Sequence, residues 1–231
     1  MTTRFEGFAD NKLAFFKRLA KNQDRDWFNE HKSEYEDGWR APMEAFLGEA
    51  RDKLDDAYPH LELGEPRVLR IYRDVRFSKD KTPYKTSIAG GIPIQVGAGG
   101  MMDAPSALYV HFSIDEGCFA GAGSYHVEGP KLEHLRRALL DDERGGELSK
   151  IARGLAKKGF TFAAAETLKK PPKGVAPDHA RADFLKMKGL VVMFPEMPQA
   201  KLASRAILEW TVKTAKVAAP LVEWLAFSIR T

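Results

Sequence analysis

Arg67, Arg70, Arg73 and Arg76 recur at every third position, and Lys79, Lys81 and Lys85 extend the run, so seven of the nineteen residues over 67–85 are basic. Only Asp74 and Asp80 oppose them, which leaves the segment at about +5 while the whole chain carries +4. The basicity is therefore concentrated in one place. Guanidinium forks pair with two anionic oxygens at once, and Tyr72, Phe77 and Tyr84 are interleaved with them. That is the composition of a site for a phosphate or carboxylate ligand.

A spacing of three suits neither regular element. On a straight strand Arg67 and Arg73 go to one face and Arg70 and Arg76 to the other, and on a helix the four spread over roughly half the circumference. The chain is expected to bend near Asp74, with only part of the set converging on one ligand. Arg73 with Arg76 is the leading pair for direct anion contact, joined by Lys81 and Arg70, with Tyr84 as a hydroxyl donor or weak acid. Asp74 orients Arg73 or Arg76, and Asp80 orients Lys79 or Lys81. The competing reading is structural, with the arginines paired to Asp and Glu on the long helices.

A second candidate is the stretch Gly121-Ala122-Gly123-Ser124-Tyr125-His126, read as a loop leading to a helix that starts at Gly129-Pro130. Backbone amides of Gly121 and Gly123 at such a loop, with Tyr125, can hold an anion. The Gly-Lys-Ser/Thr ending of a P-loop is missing, and a strand-ending turn that needs glycine's conformational freedom is the competing reading. If this loop meets the arginines, His126 becomes a general acid or base. His111 is the second proton-transfer candidate, in a polar row with Tyr109 and Ser113 on one face of a strand. His111, Asp115, Glu116 and His126 match no recognised metal-ligand spacing, so no metal is assigned, and no cofactor can be named. Cys118 has no sequence neighbour that would make it a nucleophile, and Trp27 and Phe28 read as core.

These residues need a frame. A chain of 231 residues with 44% hydrophobic content can bury a core of its own, and one domain spanning 1–231 is expected. No run approaches the length of a membrane span, and the opening residues lack the apolar centre of a signal peptide, which points to a soluble cytoplasmic protein. A lone cysteine excludes an internal disulfide and fits a reducing compartment. Apolar spacing predicts a helix over 10–21 capped by Asp10 or Asn11, and a longer one opening at residues 24–26 that Pro42 breaks or kinks. Strands are expected over 68–75 and 87–96, so the basic segment would sit on a strand and its following loop. A hairpin is expected from 107–114 and 118–122 about the turn Asp115-Glu116-Gly117. Helices over 130–139 and 147–158 should cover one sheet face. Pro171-Pro172-Lys173-Gly174 is a loop, 189–194 a strand and 201–229 a helix kinked at Pro220. The fold class is α+β, a mainly antiparallel central sheet with N-terminal and C-terminal helices packed on it.

The string Arg70-x-x-Arg73-Asp74-x-Arg76-Phe77-x-x-Asp80-Lys81-x-x-Tyr84 resembles the signature of an uncharacterised bacterial and fungal family, domain of unknown function 2461. The resemblance extends to Phe5-x-Gly7-Phe8, Trp27-Phe28, Gly121-x-Gly123-x-Tyr125 and Pro171-Pro172-x-Gly174, nearly the whole chain. It implies kinship and the choice of site, and brings no reaction with it. Three functions stay open: binding and processing of a phosphate-bearing small molecule, a nucleic-acid-binding module in which Tyr72 or Phe77 stacks on bases, and an interaction protein with structural arginines. An anionic small molecule is the favoured partner. The oligomeric state is not legible.

Overall fold

The computed structural model describes residues 4–95 and 104–230. Asp10 caps the first helix from further out than its spacing suggests. Its carboxylate accepts hydrogen bonds from Ala14 N and Phe15 N, both at 2.8 Å. Leu13 takes the left-handed conformation (φ 55°), so α1 begins only after it, at Ala14–Lys21. Asp24 accepts from Trp27 N at 2.8 Å and opens α2 (Arg25–Glu30). The stretch then runs through α3 (Lys32–Tyr35) and a π-helical turn, Glu36–Arg40, into α4 (Ala41–Leu54). Pro42 neither breaks nor ends this run. It follows directly on the π-helical turn, and Arg40 and Ala41 before it keep right-handed helical backbone, so the run continues through it.

Six strands form one sheet: β1 (Arg67–Val68), β2 (Ser87–Pro93), β3 (Ser106–Ser113), β4 (Gly117–Ser124), β5 (Thr161–Ala163) and β6 (Leu190–Met193). Their order is β1-β2-β3-β4-β6-β5 and every pairing is antiparallel. The expected hairpin is β3 and β4, closed by Asp115-Glu116-Gly117, whose first two N–H groups donate to Ser113 Oγ. The expected strand over 68–75 is not formed, because β1 ends at Val68. Beyond it, Leu69 N still donates to Ala89 O of β2 at 2.8 Å, and the chain then meets its own return limb, where Pro83 offers no N–H and pairing shrinks to one bridge between Tyr72 and Tyr84. Two further bonds, Arg73 N to Pro83 O (2.9 Å) and Lys85 N to Ile71 O (2.8 Å), tie the limbs together. Val96, the expected end of the second strand, and the Gly97–Gly100 loop lie outside the described residues.

α5 (Gly129–Leu140) starts where Gly129-Pro130 predicts. α6 (Asp142–Ala156) begins ahead of Glu147 because Asp141 accepts from Arg144 N at 2.8 Å and caps it. β5 and α7 (Ala182–Lys186) are too short to leave a periodic signal in sequence. α8 (Ala206–Ser228) passes through Pro220 without a break, since that residue is on the exposed side, where a freed carbonyl can meet water. Lys201 falls in a separate short turn before it.

Strand alternation sorts the sheet into two faces. Leu108, Val110 and Phe112 of β3, with Ile88, Ala120 and Val192 beside them, are buried under α4 and α8. α4 approaches β2 so closely that a Cβ at Gly90 would lie 2.6 Å from Leu47 Cδ1. Phe8 meets Phe112 at 4.9 Å and stacks on Trp39 at 5.5 Å, with Phe5, Phe16 and Phe46 completing the cluster. Burial of each such ring contributes about 2 kcal/mol. α5 and α6, expected directly on the sheet, pack chiefly on α8 and on each other. Among the described residues no helix is long and apolar enough to cross a membrane. The other sheet face carries the residues with chemistry.

Candidate functional site

Register lines up that second face. Ser87 is opposite Ser113, Ala89 opposite His111, and Gly91 opposite Tyr109, so the polar row of β3 is flanked by small residues of β2. On the other side His111 pairs with Phe119 and Tyr109 with Gly121 of β4, which in turn pairs with Met193 of β6. Two cavities open over this surface. The first, about 550 Å³, lies between the β-sheet floor and residues 69–73 and 82–86, the two limbs of the basic segment. Asp115 and Glu116 form its far wall. The second, about 560 Å³, continues over Phe119, Gly121, Gly123, Val191 and Met193. Leu69, Tyr109, His111 and Glu116 line both, so the two are halves of one cleft.

The basic segment divides sharply. Arg70, Arg73 and Lys85 line the first half, whereas Arg76 and Lys81 do not. Arg76 turns away to a bidentate pair with Asp74 (2.9 and 2.6 Å). Lys81 Nζ donates to Val75 O at 2.8 Å. Arg73 donates to both Asp80 and Thr82, and this guanidinium, with two hydrogen bonds from Thr82, holds the Asp80 carboxyl down to about 2. Asp80 thus orients Arg73 in place of a lysine, and the arginine pairs that form are with Asp74 and Asp80 inside the segment, not with the long helices. The leading pair expected from sequence, Arg73 with Arg76, does not converge because the chain leaves the sheet at Val68 and each guanidinium is held by a different aspartate.

Lys85 occupies the place that Arg76 was expected to take. It continues the β2 alternation backward through Ser87 and Ala89, which puts it on the cleft face. It is half-buried, and its pKa is lowered, first by burial and then by the neighbouring charge of Arg70. Among the described residues neither Lys85 nor Arg70, at the exposed rim, has a side-chain ion pair or hydrogen bond. The sequence signal for Lys85 was its parity with the strand, hidden by its position at the end of a dense run of charge.

His111 is buried at the junction of the halves. Its ring stacks on Phe119 (4.8 Å, 17° between planes), and Tyr109 Oη lies 3.3 Å from Nδ1. Glu116 Oε2 is 3.0 Å from Nε2 but off the line of a hydrogen bond, which leaves Nε2 without a hydrogen-bond partner among the described residues. Burial lowers its pKa, Glu116 opposes that, and Lys85 adds to it, so the imidazole is held neutral. A neutral ring carries one nitrogen that accepts protons. Tyr84 lines the same half, but its ring is 3% exposed and stacked on Phe28 at 4.3 Å, and burial raises its pKa, which weakens it as an acid. α2 and Gln23, whose Oε1 accepts from Tyr84 N at 3.1 Å, position it.

Gly121 and Gly123 are not in a loop. They lie inside β4, between β3 and β6, with their backbones in the ladder, so their amides do not form an anion cradle. Gly123 has φ 115°, and a Cβ there would lie 2.3 Å from Leu190 O. The glycines permit close strand approach and leave the cleft floor bare. Tyr125 and His126 follow β4 at the rim of the second half, exposed, with Glu128 Oε2 3.3 Å from His126 Nε2. His126 reaches the cleft, yet at the end away from the arginines. Cys118 is half-buried on the opposite sheet face, its thiol pKa raised by burial. Among the described residues no group of three or more His, Cys, Asp or Glu side chains is placed to hold a metal ion.

No curated protein and no solved structure matches the chain. One family model does, over residues 11–224, and the match includes both limbs of the basic segment, the polar row of β3 and the glycines of β4. The chain therefore belongs to the family described as Conserved hypothetical protein (DUF2461).

Proposed function

We propose that the cleft binds a phosphate-bearing small molecule, with Lys85 and Arg70 taking the anionic group and Arg73 steadied beside them. One observation carries the reading: Lys85 is half-buried next to a second cation, and among the described residues no carboxylate or carbonyl pairs with its ammonium. Holding an ammonium in that position is unfavourable until an anion arrives. The lining as a whole balances, since Asp80, Asp115 and Glu116 also face the cavity. The balance is not local: Asp80 is taken by Arg73, Asp115 accepts from Thr86 Oγ1 at 2.5 Å, and Glu116 faces His111. His111, neutral and beside the cations, is the group able to take a proton from the bound molecule or from a water attacking it. The lone Cys118 supports a cytoplasmic place of action.

A second reading, a nucleic-acid-binding module, is favoured by Phe77, which is 96% exposed with the Arg76 guanidinium 5.9 Å from its ring centroid. Against it, Arg76 and Lys81 at that tip are already engaged. Melting temperatures against inorganic phosphate, nucleotides, hexose phosphates and short nucleic acids, at low and high salt, separate the two. A small-molecule shift that persists in salt and disappears in folded Arg70→Gln/Lys85→Met supports the cleft. A shift with nucleic acid alone, abolished by salt, would replace that reading with the second, and no shift would overturn both.

A further inference from the structure

The second half of the cleft narrows the ligand to one class. We infer that the occupant is a phosphate monoester with an apolar or aromatic body, its phosphate at Lys85 and Arg70 and its body lying across His111 onto Phe119, Val191 and Met193. This rests on the phosphate-binding reading of the first half.

Three observations lead there. The halves are contiguous, because Leu69, Tyr109, His111 and Glu116 belong to both. Each is about 550 Å³, within the range of small-molecule pockets, and an inorganic phosphate fills only a fraction of the cationic half. The halves differ in chemistry. Charged side chains crowd the first, while the second is walled by Phe119, Ala163, Val191 and Met193 over a floor opened by Gly121 and Gly123. The second half keeps polar side chains at its ends, Tyr109, His111 and Glu116 at the junction and Tyr125 and His126 at the rim. The hydroxyls of a sugar body lying over the middle would face Phe119, Ala163, Val191 and Met193, which is unfavourable. An apolar or flat body instead exchanges water for the ring face that His111 and Phe119 present together, their planes 17° apart. Tyr125 and His126 stand at the exposed rim and mark where the body ends. The bound molecule thereby crosses His111 Nε2, which has no hydrogen-bond partner among the described residues although Glu116 Oε2 lies 3.0 Å away.

Calorimetric titration with methyl phosphate, phenyl phosphate and a hexose phosphate, which share one head group, isolates the body. Phenyl phosphate is expected to bind about tenfold or more tighter than methyl phosphate, and the hexose phosphate to gain nothing over it. Met193→Asp should remove the phenyl advantage and leave methyl phosphate affinity unchanged. Phe119→Leu, which keeps apolar volume without the ring face, is a second variant should Met193→Asp fail to fold, and should reduce the phenyl advantage. If methyl and phenyl phosphate bind equally and both depend on Lys85, the inference fails while the anion site stands. If neither binds, the anion site itself is overturned, and this inference with it.

Discussion

The tip and the stem of the basic segment carry three cations each and meet opposite fates. At the tip, residues 74–81, three cations alternate with two aspartates, and the chain folds so that Asp74 takes Arg76, Asp80 takes Arg73 from the stem and Val75 O takes Lys81. The stem holds Arg70 and Lys85 facing a cavity, with no ion pair or hydrogen bond to either side chain among the described residues. Charge density in a sequence therefore marks a region, while the charges left unanswered after folding mark a site. A surface ion pair contributes little to stability, so the tip can satisfy itself cheaply. A half-buried cation without a partner is disfavoured and is retained only where something else requires it.

The largest expected effect lies away from the stem, in the floor of the second half of the cleft. Gly123→Ala should lose about 3 kcal/mol or more, since left-handed backbone and a Cβ 2.3 Å from Leu190 O must both be relieved in a central strand. Urea unfolding measures it. A loss under about 1 kcal/mol would mean the strand can shift and that the floor does not fix the cleft. Next, Arg70→Gln/Lys85→Met should weaken phosphate monoester binding about thirtyfold or more, the size of two lost charged contacts, whereas Arg76→Gln/Lys81→Gln at the tip should change it less than about twofold. The reverse ranking would break the contrast between tip and stem.

A smaller effect is expected from pH. His111 has its pKa lowered in the folded protein, mainly by burial, so the unfolded chain takes up its proton first. Its contribution to stability is present above the unfolded value of about 6.5 and is lost as pH falls through the lower folded value. His111→Gln should therefore flatten the wild-type decline in melting temperature over that acidic window, and an unchanged decline would argue that the imidazole is not desolvated. Smallest of all, Phe77→Ala should alter stability by less than about 0.5 kcal/mol, because the ring is 96% exposed. A larger change would mean that the tip is packed, and that the contrast drawn above is incomplete.

Much of the frame was legible before folding. Alternation over 107–114 and the Asp115-Glu116-Gly117 turn define the central hairpin, and Tyr109, His111 and Ser113 do share a face over a cavity. What could not be read depends on partners distant in sequence. Gly121-x-Gly123 carries the composition of a phosphate loop, but β3 and β6 on either side draw it into a strand, and nothing local encodes that pairing. Val68 to Val75 has the β-formers of a strand, but beyond Val68 it pairs mainly with its own return limb, where Pro83 lacks an N–H and only the bridge between Tyr72 and Tyr84 forms. Arg73 and Arg76 looked equivalent until Asp74 and Asp80 claimed them separately. Lys85 was overlooked because its neighbours, not its own type, make it distinctive.

Lys85→Met gives the most direct test, read as melting temperature with and without phenyl phosphate at constant ionic strength. Removing an unanswered half-buried charge should leave the free protein as stable as wild type or more so at neutral pH, and should abolish the stabilisation by the phosphate ester. Curves that cross in this way are the result expected if Lys85 is held for a ligand. A variant that is less stable without ligand, or that is stabilised by phenyl phosphate as strongly as wild type, would contradict the account.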